Sequence, residues 1–236
     1  MAGKIVVIDY HRGNLLSVVH GLSAAGASAT ISDDPAEIAS ADGLVLPGVG
    51  SFEDAMAYMD ESGQSDAIRD SIARGVPFLG ICLGLQLLYT RGDERSGEHG
   101  APVQNETPVA AGTPGNDRWV AGLGILEGSC SRLRSGRLKV PHVGWDQVFA
   151  TKTGHKSRIL RGVPVGSNFY FTHSYAVGDD IDSSIVTGLT HYARSFPSAV
   201  EKGNVFGVQF HPEKSSSTGQ IVMGNFVDVV RSGGIK

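Results

Sequence analysis

The chain has 236 residues, with 20 Lys and Arg against 24 Asp and Glu, which gives a formal net charge of −4 and an isoelectric point near 6.0. This acidic balance leaves no basic stripe that could meet phosphates, so nucleic acid is excluded as the main partner. No apolar run approaches the roughly 20 residues of a membrane span, and no charged-then-apolar signal pattern precedes the first strand. We therefore expect one α/β domain over residues 1–236, in the cytoplasm and without a membrane partner.

The first third of the chain alternates short apolar runs with amphipathic stretches. Strands are predicted at Lys4–Asp9, Ala27–Ser32 and Gly43–Leu46, and helices at Leu15–Gly26, around Ile38 after Asp33, Asp34 and Pro35, and, capped by Ser51, as one long helix that reaches Ile72. This alternation predicts a mostly parallel, doubly wound sheet with helices on both faces. Ligands of such sheets bind beyond the carboxyl ends of the strands.

The stretch Gly80–Gln86 follows a predicted buried strand at Val76–Leu79 and precedes apolar residues that predict the first turns of a helix, through Tyr89. Gly-x-Cys-x-Gly at a strand-to-helix join has the layout of a nucleophile elbow, with Cys82 as the nucleophile. The glycines permit a sharp turn that a Cβ would obstruct, and a helix N-terminus favours the reactive thiolate. The alternative is a small buried hydrophobic Cys, and only a basic partner elsewhere in the chain decides between the two.

The second half of the chain has a different composition. Gly, Pro, Thr and acidic residues dominate Arg91–Val120, which predicts a long surface loop inserted into the fold. Strands are predicted after it at Leu138–Val140, Trp145–Phe149, Phe169–Tyr175, Ile185–Tyr192, Ser198–Glu201 and Val205–Phe210, with a hairpin turn at Lys202–Asn204 and a closing helix at Ile221–Val230. The C-terminal half is therefore expected to be rich in β-structure.

A base and an acid follow the last predicted strand. His211 ends it, and Glu213 lies two residues further on, which places both side chains on one side of an extended chain. Glu213 could then orient His211 and stabilise its imidazolium, while His211 exchanges a proton with Cys82 and a leaving amine. The alternative for His211 is a structural histidine at a strand end.

Attack on a carbonyl also requires donors for the oxyanion. The backbone N–H groups of Leu83, in the nucleophile turn, and of Val49 and Gly50, in the glycine turn after the third strand, are the natural source. A plain strand-to-helix turn is the alternative for Pro47–Gly50. A phosphate-binding loop is disfavoured, because no Lys follows the glycines.

Together, Gly80–Gln86 and Gln209–Glu213 closely resemble the motifs of the class I (triad) glutamine amidotransferases. Further stretches resemble the glutaminase subunits that deliver ammonia to a (β/α)₈-barrel cyclase, namely Asp9–Leu15, Leu46–Gly50, Lys139–Trp145, Phe169–Tyr175 and His211–Ser215. The resemblance extends from the first strand to the last helix, except for the 91–120 loop. It implies the class I amidotransferase fold.

The resemblance implies that Cys82 attacks the side-chain amide of glutamine, that His211 protonates the leaving ammonia, and that water hydrolyses the glutamyl thioester. Glutamine would be held by Gly50, Gln86, His173, Ser174 and Tyr175. The cyclase partner would use the ammonia to make imidazole glycerol phosphate and an aminoimidazole carboxamide ribotide. Glutaminase activity would stay nearly silent until the partner binds its nucleotide substrate. No cofactor and no metal site are expected.

By the same resemblance, the cyclase would contact Trp145 and Lys214. Arg12 and Asn14 are further candidates for this interface, because they lie at the same carboxyl edge of the sheet. Two positions depart from the family pattern, because Asp146 stands where Asn is expected and Thr172 where Val is expected. Two other functions remain open at this stage. One is a free-standing triad hydrolase, or the glutaminase of another amidotransferase, and the other is a non-catalytic binding module on the same fold.

Overall fold

The computed structural model describes residues 3–96 and 119–234. Within these ranges the strands are β1 (Lys4–Ile8), β2 (Ser28–Ser32), β3 (Gly43–Gly48), β4 (Phe78–Cys82), β5 (Tyr89–Gly92), β6 (Val120–Ala121), β7 (Leu126–Arg132), β8 (His142–Ala150), β9 (Ser167–His173), β10 (Tyr175–Val177), β11 (Val186–Tyr192), β12 (Arg194–Lys202) and β13 (Val205–Val208). The α-helices are α1 (Leu15–Ala24), α2 (Pro35–Ala39), α3 (Phe52–Glu61), α4 (Gln64–Ala73), α5 (Leu83–Gln86) and α6 (Ser216–Arg231). None of the helices described is long and apolar enough to cross a membrane.

The main sheet has nine strands in the order β2-β1-β3-β4-β13-β12-β11-β8-β9 among the described residues. The first five run parallel, and β12, β11, β8 and β9 run antiparallel to their neighbours. The prediction of a doubly wound sheet with a β-rich C-terminal half is confirmed. Strand β13 lies beside β4 in parallel, with Val208 opposite Ile81, so the residues that follow these two strands emerge at the same edge.

Alternation along β1 explains how this sheet is covered on both faces. Ile5 and Val7 pack with α1 and α6 in one core, whereas Val6 and Ile8 pack with α2, α3 and α4 in the other. All four side chains are buried, as expected for a central parallel strand.

A second, four-stranded sheet of order β10-β7-β5-β6 has no counterpart in the sequence predictions. Its strands are short or rich in small residues, such as the Gly128-Ser129 pair of β7, so they show little apolar alternation. This sheet packs on the core that contains Leu46, where Leu126, Cys130 and Val177 are buried.

Two predicted helix starts are confirmed. The Ser51 hydroxyl accepts a hydrogen bond from the backbone N–H of Asp54 at 3.1 Å, and an Asp34 carboxylate oxygen accepts one from Ala36 at 2.8 Å. The prediction of one long helix after Ser51 is wrong. Gly63 adopts φ +79° and divides the segment into α3 and α4, a conformation that glycine adopts at little cost.

Three other boundaries differ from the predictions. Leu138–Val140 is not a strand, because the backbone N–H of Leu138 donates to the Ser135 hydroxyl at 2.8 Å instead of to a neighbouring strand. The segment Phe169–Tyr175 is divided at Ser174 between the two sheets. The predicted loop at 91–120 is too long at both ends, since Arg91 and Gly92 belong to β5 and Val120 to β6, while residues 97–118 lie outside the described part of the chain.

Candidate active site

Cys82 occupies a strained turn at the end of β4. Its φ of +56° and ψ of −108° are unusual for a residue with a side chain. A Cβ on Gly80 would overlap the carbonyl oxygen of Gly84, and a Cβ on Gly84 would overlap that of Leu46. The two glycines are therefore required by close backbone approach, as the sequence pattern predicted.

The helix after Cys82 is much shorter than predicted. It consists of the single turn α5, and Tyr89 already belongs to strand β5. Backbone carbonyls of residues 87–90 accept hydrogen bonds from the N–H groups of residues 122–126, which pulls the segment out of the helix. A single turn supplies only a few aligned peptide dipoles, so its field contributes less to a thiolate than a full helix would.

His211 and Glu213 form a buried ion pair next to Cys82. Nδ1 of His211 lies 2.8 Å from Oε1 of Glu213. Burial alone would lower the pKa of His211, but the negative charges of the Cys82 thiolate and of Glu213 outweigh it and raise the pKa to about 10.

The sequence argument for this pair is corrected in one respect. Strand β13 ends at Val208, and Glu213 lies in a 3₁₀ turn, Pro212–Lys214, not on an extended chain. The turn, opened by Pro212, folds the carboxylate back onto the imidazole. The two side chains therefore meet as predicted, but through a turn and not through strand alternation.

A cavity of about 420 Å³ opens beside the Cys82 sulfur. Its lining includes every residue for which the sequence predicted oxyanion or glutamine contacts, namely Val49, Gly50, Leu83, Gln86, His173, Ser174 and Tyr175. It also includes Glu94, which the sequence analysis missed because this residue falls in the segment assigned to a surface loop. Glu94 is buried and its Oε2 accepts a hydrogen bond from the backbone N–H of Phe52 at 3.2 Å. The only sign of this position in the sequence was an acidic residue that follows shortly after an apolar run.

Tyr10 supports the glycine turn on the rim of the cavity through a hydrogen bond. The Tyr10 hydroxyl donates to the carbonyl oxygen of Val49 at 3.2 Å, which fixes the orientation of the Val49–Gly50 peptide. Burial and the charge of Cys82 both raise the pKa of Tyr10, so the hydroxyl keeps its proton. The side chain of Arg12 lies against Gly50 on the outer side.

Two histidines extend from the cavity toward the surface. Nδ1 of His173 donates to the carbonyl oxygen of Tyr175 at 2.8 Å, and Nε2 lies 3.1 Å from Nδ1 of His142. Burial is the main cause that lowers the pKa of His173 to about 3, so the ring is neutral at physiological pH. Its Nε2 then accepts the proton of His142 Nδ1, and Nε2 of His142 faces Oδ2 of Asp146 at 3.5 Å.

The residues predicted to contact a partner are exposed and fall into two groups. Trp145 is 54% exposed and meets Tyr170 edge to face, with ring centroids 6.1 Å apart. Lys214 is exposed, and its ammonium lies 5.8 Å from the centre of the same Tyr170 ring. Arg12, which lies beside Gly50, and Asn14, which precedes α1, are also exposed. Tyr170 was not predicted individually, although it lies in a stretch that the resemblance covers.

Other reactive groups do not join the site. Cys130 is buried in β7, where its thiol contacts the carbonyl oxygen of Gln86 at 3.6 Å, and burial raises its pKa well above the usual value. This environment suits a structural role. Within residues 3–96 and 119–234, no three His, Cys, Asp or Glu side chains come together as metal ligands would.

Comparison with known proteins places this geometry in a family. A family described as glutamine amidotransferase class-I matches residues 6–229. A protein of Moorella thermoacetica named imidazole glycerol phosphate synthase subunit HisH is 45% identical over 98% of this chain and 97% of its own length. A protein of the same name from Symbiobacterium thermophilum is 42% identical over 94% of this chain and 92% of its own.

The similarity to solved structures concerns the fold alone. PurLQS from Thermotoga maritima superposes with a TM-score of 0.68 at 18% identity, covering 97% of this chain and 99% of that one. The glutaminase domain of Trypanosoma brucei CTPS, solved with bound acivicin, gives 0.61 at 13% identity, covering 99% and 95%.

Proposed function

The chain belongs to the class I glutamine amidotransferase family, and from this premise we propose that it is the glutaminase subunit of an imidazole glycerol phosphate synthase. It hydrolyses glutamine to glutamate and ammonia. The ammonia is supplied to a (β/α)₈-barrel cyclase subunit that forms imidazole glycerol phosphate and an aminoimidazole carboxamide ribotide in histidine biosynthesis. No cofactor is needed for this hydrolysis, because the thiolate, the imidazolium and the backbone donors supply its chemistry.

The observation that most directly supports glutamine hydrolysis is the arrangement of three buried groups. Cys82 lies on a strained turn, within electrostatic reach of His211, which is in turn paired with Glu213 at 2.8 Å. A thiolate beside an imidazolium that a carboxylate orients is the arrangement that acyl transfer to sulfur requires.

The reaction proceeds in two acyl transfers. The Cys82 thiolate forms a bond to the side-chain carbonyl carbon of glutamine, and the carbonyl electron pair moves to oxygen. The N–H groups of Val49, Gly50 and Leu83 stabilise that oxyanion. As it collapses, the C–N bond breaks and the His211 imidazolium gives its proton to the leaving nitrogen, which departs as ammonia. Neutral His211 then takes a proton from water, whose oxygen displaces the sulfur and releases glutamate.

The cavity provides groups of the right chemistry for the rest of the substrate. The carboxylate of Glu94 suits the α-ammonium of glutamine. Gln86 donates its two amide protons to Tyr175 and Gln209, at 2.8 and 3.0 Å, so its Oε1 remains as the group that accepts from a ligand. His173, Ser174 and Tyr175 form the opposite wall of the cavity.

The cyclase docks on the exposed cluster formed by Trp145, Tyr170 and Lys214, with Arg12 and Asn14 at its margin. A large aromatic side chain that is half exposed in the free chain is a typical anchor of an interface. A Cβ on Gly50 would lie 3.6 Å from Arg12, so docking at this margin would act close to the oxyanion turn. Residues 1–236 act as one domain, because both sheets line the cavity. The catalytic thiol requires a reducing compartment, which favours the cytoplasm.

The first experiment is to measure glutamate release from glutamine by the purified chain, alone and then with the barrel cyclase and its nucleotide ligand. We expect near-silence alone and strong stimulation by the liganded cyclase. Full activity without the partner would instead identify a free-standing hydrolase. If no glutamate appears in either condition, and glutamine does not protect Cys82 from thiol labelling, the chain is a binding module and the proposal is wrong.

A further inference from the structure

Gln209 is a buried amide that reaches the nucleophile. It lies between the end of β13 and His211, its side chain is completely buried, and its backbone N–H donates to the carbonyl oxygen of Ser198 at 3.0 Å. Its Nε2 lies 3.6 Å from the sulfur of Cys82, which is within hydrogen-bond distance for a sulfur acceptor. The reaction described above assigns no role to this contact.

The orientation of the Gln209 amide is determined by a chain of hydrogen bonds that begins at a backbone atom. The carbonyl oxygen of Tyr175 can only accept, so the atom of Gln86 that lies 2.8 Å from it is the amide nitrogen. That nitrogen lies 3.0 Å from the Gln209 side chain, which must present its oxygen there. The Gln209 nitrogen is consequently the atom that faces sulfur, and reversing the amide would place two donors against each other.

Besides His211, two polar groups near the sulfur have opposite effects on a thiolate. The carbonyl oxygen of Thr172 lies 3.8 Å from it and accepts the proton of a neutral thiol. The same oxygen repels a thiolate, whereas the N–H of Gln209 attracts one. Since α5 is only one turn long, its dipole supplies less of the stabilisation that the sequence analysis assigned to a helix N-terminus. A fixed donor from Gln209 supplies what the short helix lacks.

We propose that Gln209 is a catalytic residue of the glutaminase reaction, in which its side-chain amide donates a hydrogen bond that holds the Cys82 sulfur in place and favours the thiolate. This inference rests on the proposed function. The amide keeps its protons throughout, so no proton transfer is added to the mechanism. It acts twice, first on the attacking thiolate and then on the sulfur that leaves when water cleaves the thioester, because negative charge lies on sulfur at both points.

The test uses two substitutions with opposite consequences for the sulfur. Gln209→Met keeps the volume and removes both polar atoms. Gln209→Glu keeps an oxygen that accepts from Gln86 but turns a carboxylate oxygen toward Cys82. If Gln209 only supports Gln86, the Glu variant resembles the wild type. If it donates to sulfur, the Glu variant is the more damaged of the two.

The measurement is the rate of iodoacetamide alkylation of Cys82 in the isolated full chain against pH, followed by mass spectrometry of the peptide. We expect the alkylation midpoint of Gln209→Met to rise by about one pH unit, a tenfold effect on the equilibrium. The order of rates at neutral pH should be wild type, then Met, then Glu. In the complex with liganded cyclase, kcat of Gln209→Met should fall about tenfold, with KM changed less than about threefold.

Gln64 provides a matched control, because it is also completely buried and donates only to the backbone carbonyls of Asp9 and Asp33. Gln64→Met should alter thermal stability and leave the alkylation midpoint of Cys82 unchanged. An unchanged midpoint in folded Gln209→Met, or a Glu variant equal to the wild type, would overturn the proposal.

A measurement on the wild type covers the case in which neither Gln209 variant folds. With ¹⁵N-labelled glutamine side chains, the Nε2 resonance of Gln209 should move with the same pH midpoint as alkylation and should shift when Cys82 is alkylated. A resonance insensitive to both would overturn the proposal. Neither readout requires glutamine, so a wild-type chain that fails to release glutamate refutes the proposed function separately from the sulfur contact.

Discussion

The buried nucleophile turn and the exposed aromatic cluster on β8 and β9 are organised in opposite ways. Around Cys82 the chain fixes its own side chains, through glycines in close contact, the His211–Glu213 pair and the buried amides. Around Trp145 and Tyr170 a large ring, that of Trp145, is 54% exposed to solvent. The first region has its geometry fixed within this chain. In our proposal, the second is completed by the surface of the cyclase.

We therefore expect the buried region to determine the chemistry and the exposed cluster to determine its control by the partner. Substitutions in the buried region should change the reaction itself, whether or not the partner is bound. Substitutions in the exposed cluster should leave the reaction competent and change how the partner is held. The glycine turn at Val49 and Gly50 belongs to both regions, since it lines the cavity and contacts Arg12 at the surface.

The largest expected effect is that of Cys82→Ser. An alcohol at neutral pH is not ionised and is a far weaker nucleophile than a thiolate, so glutamine hydrolysis should fall by more than about 10³-fold. Cyclase activity driven by added ammonium salts should be unchanged in the complex, because the partner's site is untouched. Both rates are measured on the same preparation. Hydrolysis at the wild-type level would disprove the assignment of the nucleophile, and loss of the ammonia-driven rate would show damage to the complex.

The second effect is that of Glu213→Gln, which keeps the shape of the side chain and removes its charge. The imidazolium of His211 loses the group that orients and stabilises it, so kcat should fall about 10²-fold or more, with little change in KM. If kcat is unchanged, Glu213 is a structural acid.

The same variant has a signature in stability against pH. The folded pKa of His211 is raised to about 10, so the stability it contributes is fully present below its unfolded value near 6.5 and is lost as pH rises through 10. Removing the Glu213 charge lowers the pKa of His211 in the folded chain. The pH range over which this stability is lost then ends at a lower pH. Thermal unfolding between pH 6 and 10 should therefore show a shallower loss in Glu213→Gln than in the wild type.

How much of the structure could be predicted from the sequence depends on whether a feature is local in the chain. The nucleophile turn is a local pattern in the sequence, since Gly80 and Gly84 flank Cys82, although the close contact that requires Gly84 is with Leu46 on the neighbouring strand. Periodicity also located most strands and helices. It failed at Gly63, where the conformation of one residue redirected the chain, and at Tyr89, where several long-range backbone hydrogen bonds did so.

The remaining contacts of the site join residues far apart in the chain. Gln209 meets Cys82 across 127 positions, and Tyr10 meets Val49 across 39. Neither contact has a signature in local composition. The sequence motif singled out Gln209 as part of a matching stretch, but only the packing of β13 beside β4 shows which atom its amide faces.

In the exposed cluster, Trp145→Ala should weaken binding of the cyclase by about 2 kcal/mol, roughly thirtyfold, as truncation of an aromatic anchor does. The stability of the free chain should change by less than about 0.5 kcal/mol, because the side chain is half exposed. Phe149 is a matched control, since it lies on the same face of β8 with a similar exposure of 49%. Calorimetric titration of both variants decides the position of the interface. An equal loss for Phe149→Ala would move its centre along the strand.

The smallest effect is expected where the two regions meet, at Asp146. Neutral His173 requires the proton of His142 Nδ1, so Nε2 of a neutral His142 presents a lone pair to the Asp146 carboxylate at 3.5 Å. Burial lowers the pKa of His142, and the charge of Asp146 opposes that shift. Asp146→Asn removes the opposing charge and offers an N–H to the lone pair, so the pKa of His142 should fall further, as NMR titration of the ring would detect. Glutaminase kcat/KM in the complex should change less than about threefold at neutral pH, because the ring is already mostly neutral there. A much larger change would mean that the histidine pair transmits the state of the docking face to the cavity, and the separation of chemistry from control would fail at this point.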